Sequence, residues 1–403
     1  MSSQNEWYFQ CISCGWEKPI SLPDPTGFFC ERCGDLLQLV LRESPPDKDE
    51  LFPSNVAMSV WKYSKALPVE KRVSLGEGGT PLLKSRNLGE VLGIKELYIK
   101  YDGLNPTGSF KDRGMTVAIA RAIDSHAKIL VCASTGNTSA SLAAYAASGG
   151  LKSAVLVPEG KVAKGKLVQA VAYGAKIIKV NGSFDTALEM VEELVSKDKN
   201  FYLMNSINPF RVEGQKTTAY EIYEQLGGVP DYVVLPVGNA GNISAIWKGF
   251  KELKEWGIAE KVPHMIGVQA EGAAPIAEAV QKGYERPRIW SEPETKASAI
   301  RIGNPVSWKK AMNAIKESEG SALTVSDSEI LESRRKLAAV EGIFAEAASA
   351  SPIAALSKMG SKDGVIVCIA TGNGLKDQEL IEWDTEQIAI ADNAETLRRI
   401  MMK

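Results

Sequence analysis

Residues 102–115 read DGLNPTGSFKDRGM and follow the apolar run ELYIKY at 96–101. Asn105, Pro106, Thr107 and Gly108 are turn residues, so the run ends there as a strand and reverses. Ser109 is placed to cap a helix starting at Phe110, which puts Lys111 in the first helical turn. The helix dipole is positive at that end, and a cation there loses its proton more easily. Burial would act in the same direction. A neutral amine is what Schiff-base chemistry requires. The plainer alternative is a solvated surface lysine beside Asp112.

The strand–turn–helix unit at 96–115 recurs outward along the chain. Apolar runs KILVCA (128–133), SAVLVP (153–158), KIIKV (176–180), FYLMN (201–205), YVVLPVG (232–238), HMIGVQA (264–270) and VIVCIAT (365–371) alternate with helical patterns such as TALEMVEELV (186–195). Unbroken Val/Ile/Leu runs predict strands buried on both faces, hence a mainly parallel sheet covered by helices and an α/β fold. Ligands in such sheets sit beyond the carboxyl ends of the strands. Three more of those ends are polar and rich in glycine or serine: STGNTSAS (134–141), GNAGN (238–242) and TGNGLKD (371–377). Hydroxyls, amides and backbone N–H groups at helix starts suit an anion. Neither a GxGxxG fingerprint nor a Walker loop is present. Together with a helix-start lysine, these loops suggest a pocket for a phosphorylated cofactor that engages an amine, and pyridoxal phosphate meets both conditions.

The scarce residues point the same way. The 403 residues include two histidines, His126 and His264, so hydrolytic triads and histidine-ligated metal centres have few candidates. Both histidines read as structural. The 47 Lys+Arg balance 49 Asp+Glu, leaving a net charge of -2 and no field for nucleic acid or an anionic membrane. No apolar run is long enough to span a bilayer, and the N-terminus lacks a secretory or transit pattern. Cys132 and Cys368 sit inside apolar runs as core thiols, which suits a reducing cytoplasm.

The other four of the six cysteines form two knuckles, Cys11-x2-Cys14 and Cys30-x2-Cys33, fifteen residues apart. Each pair aims two sulfurs at one ion, and Gly15 and Gly34 relieve the turns. This is zinc-ribbon spacing with a closed, structural S4 site; two disulfides are the alternative. Metal binding would supply folding free energy that so short a segment lacks. ESPPDKDELFP (43–53) reads as a linker.

LGEGGTPLL (75–83), NPTGSFKDRGM (105–115), ASTGNTSAS (133–141), PEGKVAKGKLVQ (158–169), NSINPFRVEGQKT (205–217), PVGNAGNISAIWKGF (236–250) and AIRIGNPVSW (299–308) resemble the threonine synthases, pyridoxal-phosphate enzymes of fold type II, the tryptophan synthase β-like group. The resemblance implies a two-lobed α/β enzyme that turns O-phospho-L-homoserine and water into L-threonine and phosphate. Lys111 would hold the cofactor as a Schiff base (aldimine). Asn137 would meet the pyridine 3′-oxygen, Gly238, Asn239, Ala240, Gly241 and Asn242 would cradle its phosphate, and Thr371 would face the pyridine nitrogen. Ser134, Thr135 and Thr138 would grip the substrate carboxylate. Asn205, Ser206, Arg211 and Asn239 would take the substrate phosphate. Where many relatives read TGHGLKD, this chain has Asn373.

The implied organisation is a ribbon at 1–42, a linker at 43–54, a large lobe from 55–117 and 206–385, a small lobe at 118–205 and a C-terminal tail at 386–403 with an amphipathic helix. A cytoplasmic homodimer acting on a small phosphorylated amino acid is expected, with no nucleic-acid or membrane partner. Rival readings are a cysteate synthase or threonine dehydratase on the same scaffold, and a zinc-ribbon nucleic-acid-binding protein. The ribbon's Lys18 and Arg32 against Glu17, Asp24 and Glu31 give the last no basic face.

Overall fold

The fold is that of a computed structural model, which describes residues 7–22, 24, 28–158, 164–182, 184–360, 363–381 and 391–402. The chain opens on an antiparallel sheet of β1 (Trp7–Cys11), β2 (Glu17–Pro19) and β3 (Leu37–Leu41), ordered β2-β1-β3. Alternation along WYFQC turns Trp7, Phe9 and Cys11 inward. These side chains join a core shared with the body: Phe9 meets Phe210 edge-on at 6.0 Å, and Phe28 meets Tyr202 at 5.7 Å. The ribbon thus borrows the hydrophobic interior it cannot build alone.

α1 (Lys48–Leu51), β4 (Leu82–Lys84), α2 (Arg86–Leu92), β5 (Glu96–Tyr101) and α3 (Lys111–Asp124) follow. Within the stretch read as a linker, Asp47 and Glu50 form a capping box and Leu51 is buried. A four-stranded parallel sheet comes next: β6 (Ile129–Ala133), α4 (Asn137–Ser148), β7 (Lys152–Pro158), α5 (Lys164–Ala172), β8 (Lys176–Val180), α6 (Phe184–Lys197) and β9 (Phe201–Leu203), ordered β8-β7-β6-β9.

The chain then returns through α7 (Pro209–Leu226), β10 (Tyr232–Pro236), α8 (Gly241–Glu255), β11 (His264–Ala270), α9 (Pro275–Lys282), α10 (Trp308–Glu317), β12 (Ser321–Val325), α11 (Asp327–Glu341), α12 (Ala347–Ala355) and β13 (Val365–Ala370). The larger sheet runs β12-β11-β10-β13-β5-β4 and is parallel except for β4, which pairs antiparallel with β5. β10 and β13, its inner strands, are buried almost throughout, as their unbroken apolar runs require. Each predicted run forms a strand. β4 and β12 were not predicted, because three residues (LLK) and the mixed SALTV lack a sustained apolar signal. α13 (Ala394–Met401) provides the tail helix; residues 386–390 lie outside the described residues, as do 159–163 of the PEGKVAKGKLVQ motif. Among the described residues no helix is long and apolar enough to cross a membrane.

Two features set the position of α3. It crosses α7 where Gly114 faces Gly214: a Cβ on Gly214 would lie 1.9 Å from the Arg113 carbonyl oxygen, and one on Gly114 would lie 2.5 Å from that of Arg211. Backbones that close exclude any side chain. Beneath the crossing, the fully buried Arg113 guanidinium pairs with Asp102 (2.7 Å) and Glu221 (2.6 Å), and Lys100 also meets Glu221 (2.6 Å). Two cations against two carboxylates leave no net buried charge. Both histidines serve structure. His126 has a left-handed backbone just after α3, and His264 Nδ1 lies 2.7 Å from the Ser318 carbonyl oxygen.

Candidate active site

The turn before α3 is built around Asp112. Its carboxylate accepts from the Thr107 backbone N–H (2.7 Å) and hydroxyl (2.6 Å), folding 105–108 back over the helix start. Gly108, at φ 84°, makes the reversal possible. Asp112 is therefore buried, not the solvated neighbour of a surface lysine, and burial raises its carboxyl to about 6. Ser109 does not cap the helix: α3 starts at Lys111 with Phe110 at the cap position, and the Ser109 hydroxyl is buried without a partner. The local reason is the bridge between Ser109 and Gly372, which commits that residue to the strand-end loop rather than to the helix.

Lys111 lines a cavity of about 1950 Å³ lying beyond the strand ends of both parallel sheets. Lys111 itself is half-buried. Burial pulls it down to about 7, the Arg211 charge adds to that, and Glu346 opposes it. Ser134, Thr135, Asn137, Thr138, Asn205, Ser206, Gly238, Asn239, Ala240, Gly241, Asn242 and Thr371 line the same cavity.

Individual positions differ in what they have free. Asn205 spends its amide on Ala133, accepting from its N–H (3.0 Å) and donating to its carbonyl (2.9 Å), which fixes the end of β6. Asn137 donates to Glu346. The Thr371 hydroxyl lies 2.9 Å from that of Ser349, and the Thr371 carbonyl accepts from the Phe110 N–H (2.9 Å). Arg211 does not line the cavity. It is 1% exposed, its Nη1 donates to the Met204 carbonyl (3.0 Å), and its Nε and Nη2 have no partner. Burial lowers it to about 10.

The loop at 238–242 is wound tightly into α8. Ala240 holds a left-handed conformation (φ 65°) that an L-residue adopts at a cost. The Asn239 carbonyl accepts from the Ser307 N–H (3.2 Å), tying the loop to α10. Both polar atoms of the Asn242 side chain are buried without a hydrogen bond.

A family of pyridoxal-phosphate-dependent enzymes matches residues 73–372. The threonine synthase of Methanocaldococcus jannaschii is 52% identical over 405 residues, covering 97% of this chain and 98% of its own. The chain belongs to the threonine synthases. That of Methanosarcina acetivorans is 48% identical over 400 residues, covering 97% and 98%. Among solved structures, the threonine deaminase of T.th. shares the fold, with a TM-score of 0.62 at 27% identity over 76% of this chain and 94% of that one.

As in other threonine synthases, the cofactor is pyridoxal phosphate, and the residues present fit it. Lys111 offers an amine that burial lowers to about 7, far below an ordinary lysine. The 238–242 loop offers backbone N–H groups at a helix start and a buried amide awaiting a partner. Sequence reasoning missed Glu346 and Ser349 and left Lys376 and Asp377 without a role. Glu346, Lys376 and Asp377 line the cavity, and Ser349 stands behind Thr371. AEAAS carries no turn or cap signature, so only the fold brings Glu346 to the cavity.

At the other end of the chain the sulfurs of Cys11, Cys14, Cys30 and Cys33 lie within 4.8 Å of one another. The pairs Cys11–Cys33 and Cys14–Cys30 are 3.4 and 3.7 Å apart. A tetrahedron with Zn–S bonds of about 2.3 Å has edges of roughly 3.8 Å. All four are free thiols, so the disulfide alternative does not hold here.

Proposed function

We propose that this protein converts O-phospho-L-homoserine and water to L-threonine and phosphate, with Lys111 as the reactive amine. The observation that carries this reading is the meeting, in one cavity, of a lysine lowered to about 7 with a helix-start loop whose Asn242 amide has no protein partner. Similarity to the threonine synthases of Methanocaldococcus jannaschii and Methanosarcina acetivorans over 97% of the chain supports the choice of substrate.

Lys111 would hold the cofactor covalently, Gly238–Asn242 its phosphate, Asn137 its 3′-oxygen and Thr371 its ring nitrogen. Pyridoxal phosphate, when bound, supplies the electron sink for charge developing at the substrate α-carbon. Ser134, Thr135 and Thr138, at the start of α4, orient the substrate through its carboxylate. Ser206 and Asn239 face the substrate phosphate, Asn205 keeps the end of β6 in place, and Arg211 contributes positive charge from below. With substrate bound, the Lys111 amine takes the α-proton, moves a proton from Cβ to Cγ around the loss of phosphate, and returns a proton to the α-carbon after water has added. Phosphate leaves from Cγ, and water adds at Cβ. The carboxylate loop belongs to the lobe of 118–205 and Lys111 to that of 55–117 and 206–385. Substrate bridging them would favour closure and exclude water during proton transfer.

We further take the four cysteines to hold a structural Zn2+, and the protein to act as a cytoplasmic homodimer. The donor set supports the metal, the resemblance supports the dimer, and the buried free thiols of Cys132 and Cys368 support a reducing compartment.

Product analysis tests the reading. The protein is incubated with O-phosphohomoserine, with O-phosphoserine plus sulfite, and with threonine. Threonine plus phosphate from the first is expected. 2-Oxobutanoate from the third without threonine from the first would make it a dehydratase, and cysteate from the second would make it a cysteate synthase. Lys111→Ala should abolish both turnover and the visible absorbance of bound cofactor.

A further inference from the structure

Glu346 is a carboxylate in an unusual setting. It stands just before α12, 4% exposed, yet lines the cavity. Its backbone N–H donates to the Gly372 carbonyl (3.0 Å), next to Thr371. Gly372 leaves it no slack, because a Cβ there would lie 2.3 Å from Glu346 Oε1. Both carboxylate oxygens accept from Asn137 Nδ2, at 3.1 and 3.0 Å. Its neighbour Asp377 is paired with the Arg334 guanidinium at 2.7 Å, whereas Glu346 meets a neutral amide. The groups facing it come from four elements: Lys111 on α3, Asn137 on α4, the Tyr101 hydroxyl on β5, and Lys376 and Asp377 after β13.

We propose that Glu346 is a positioning residue for the reaction, orienting the Asn137 amide and acting as the counter-charge that stabilises Lys111 when the amine carries a proton. The first duty follows from the two-oxygen contact. A single amide nitrogen shared between both oxygens has its plane and its free N–H direction fixed. The second follows from placement. A proton delivered to Lys111 creates a cation in a site that also feels Arg211. A nearby carboxylate is what lowers the energy of that state. Burial raises the Glu346 carboxyl to about 7, with Asp377 adding to the rise and Asn137, Lys376 and Lys111 opposing it, so its charge responds to the state of the amine.

The test uses the holoenzyme and two variants. Glu346→Gln keeps the shape and removes the charge; Glu346→Asp keeps the charge and withdraws it from Asn137. In Glu346→Gln the acidic limb of the kcat profile should move to lower pH by about half a unit to one unit. The pH midpoint of the bound cofactor's visible absorbance should move the same way, and kcat should fall more than KM changes. In Glu346→Asp the midpoint should stay near the parent's while cofactor affinity falls about tenfold, the worth of one lost hydrogen bond. Superimposable absorbance titrations for Glu346→Gln and the parent would overturn the proposal. So would a midpoint in Glu346→Asp displaced as far as in Glu346→Gln. If Glu346→Gln fails to fold, a midpoint in Glu346→Asp displaced from the parent's by half a unit or more overturns the proposal. The proposal rests on Lys111 as the reactive amine. Failure of that reading would appear as turnover in Lys111→Ala, which neither Glu346 variant can produce.

Discussion

Arg121, in the last turn of α3, donates to Asp24 between the two cysteine knuckles, Nη2 to Oδ1 at 2.6 Å. The Tyr202 hydroxyl, from β9, donates to the other oxygen at 2.7 Å. One ribbon carboxylate thus ties the helix that carries Lys111 to the edge strand of the smaller sheet. On the opposite side, Lys309 of α10 pairs with Asp35 (2.7 Å), and Lys248 of α8 donates to the Leu39 carbonyl (2.6 Å).

Removing Asp24 strands a guanidinium that is 1% exposed. Breaking such a pair costs about 3–5 kcal/mol, whereas replacing both partners by apolar groups is near neutral. Asp24→Ala should therefore lower the urea midpoint sharply, and the double variant Asp24→Leu, Arg121→Met should recover most of the loss. Equal losses in the two would show that the pair contributes little.

Chelation should act on the same interface. Zn2+ released from the four thiols would free the knuckles, and the thermal midpoint should fall as metal leaves, followed with a colorimetric zinc indicator. Cys14→Ala, at an exposed ligand, should bind less zinc and melt at a correspondingly lower temperature.

Gly214→Ala asks for space that does not exist. Its methyl would meet backbone, the Arg113 carbonyl oxygen at 1.9 Å and the Gly114 Cα at 2.8 Å, so α3 and α7 must separate. Overpacking of this kind costs about 1–3 kcal/mol or more. Calorimetry should show the destabilisation, and KM should rise because Lys111 rides on the displaced helix.

Asn242 should behave as a ligand residue rather than a structural one. Its buried amide lacks a partner, so Asn242→Ala removes a desolvation cost of about 1–3 kcal/mol from the cofactor-free protein. The apoprotein should melt at a higher temperature, while cofactor affinity falls about tenfold. A lower apoprotein midpoint would count against the loop as the phosphate cradle.

The apoprotein's stability should dip near neutral pH. Glu346 is raised to about 7, so its contribution is present below its unfolded value of about 4.3 and is lost as pH rises through 7. Lys111 is lowered to about 7, so its contribution is present above about 10.4 and is lost as pH falls through 7. Urea midpoints at pH 5, 7 and 9 should show the trough, and it should be shallower in a Lys111→Met, Glu346→Gln double variant.

Strands were legible because burial on both faces leaves runs such as VIVCIA, and the helix-start lysine was legible because Asn-Pro-Thr-Gly turns announce themselves. Ser109 misled because a serine before a helix is a cap only if its hydroxyl faces the helix, and a bridge to Gly372, more than 260 residues away, turns it elsewhere. Glu346 was invisible for the same reason: its partner Asn137 is over 200 residues distant in sequence. The ribbon read as a metal-held segment of its own because its cysteine spacing is local. Its apolar face, Trp7, Phe9 and Leu39, is spent on the body instead.

Ala240 carries a consequence for how the holoenzyme is assembled. Its left-handed turn belongs to the chain's own fold, with the Ala240 methyl group packed into the core of the larger sheet. On the proposed reading of this loop, an incoming phosphate would meet donors already aimed. Loading should then follow ionic strength rather than a slow conformational step, which a stopped-flow salt series on the apoprotein would check.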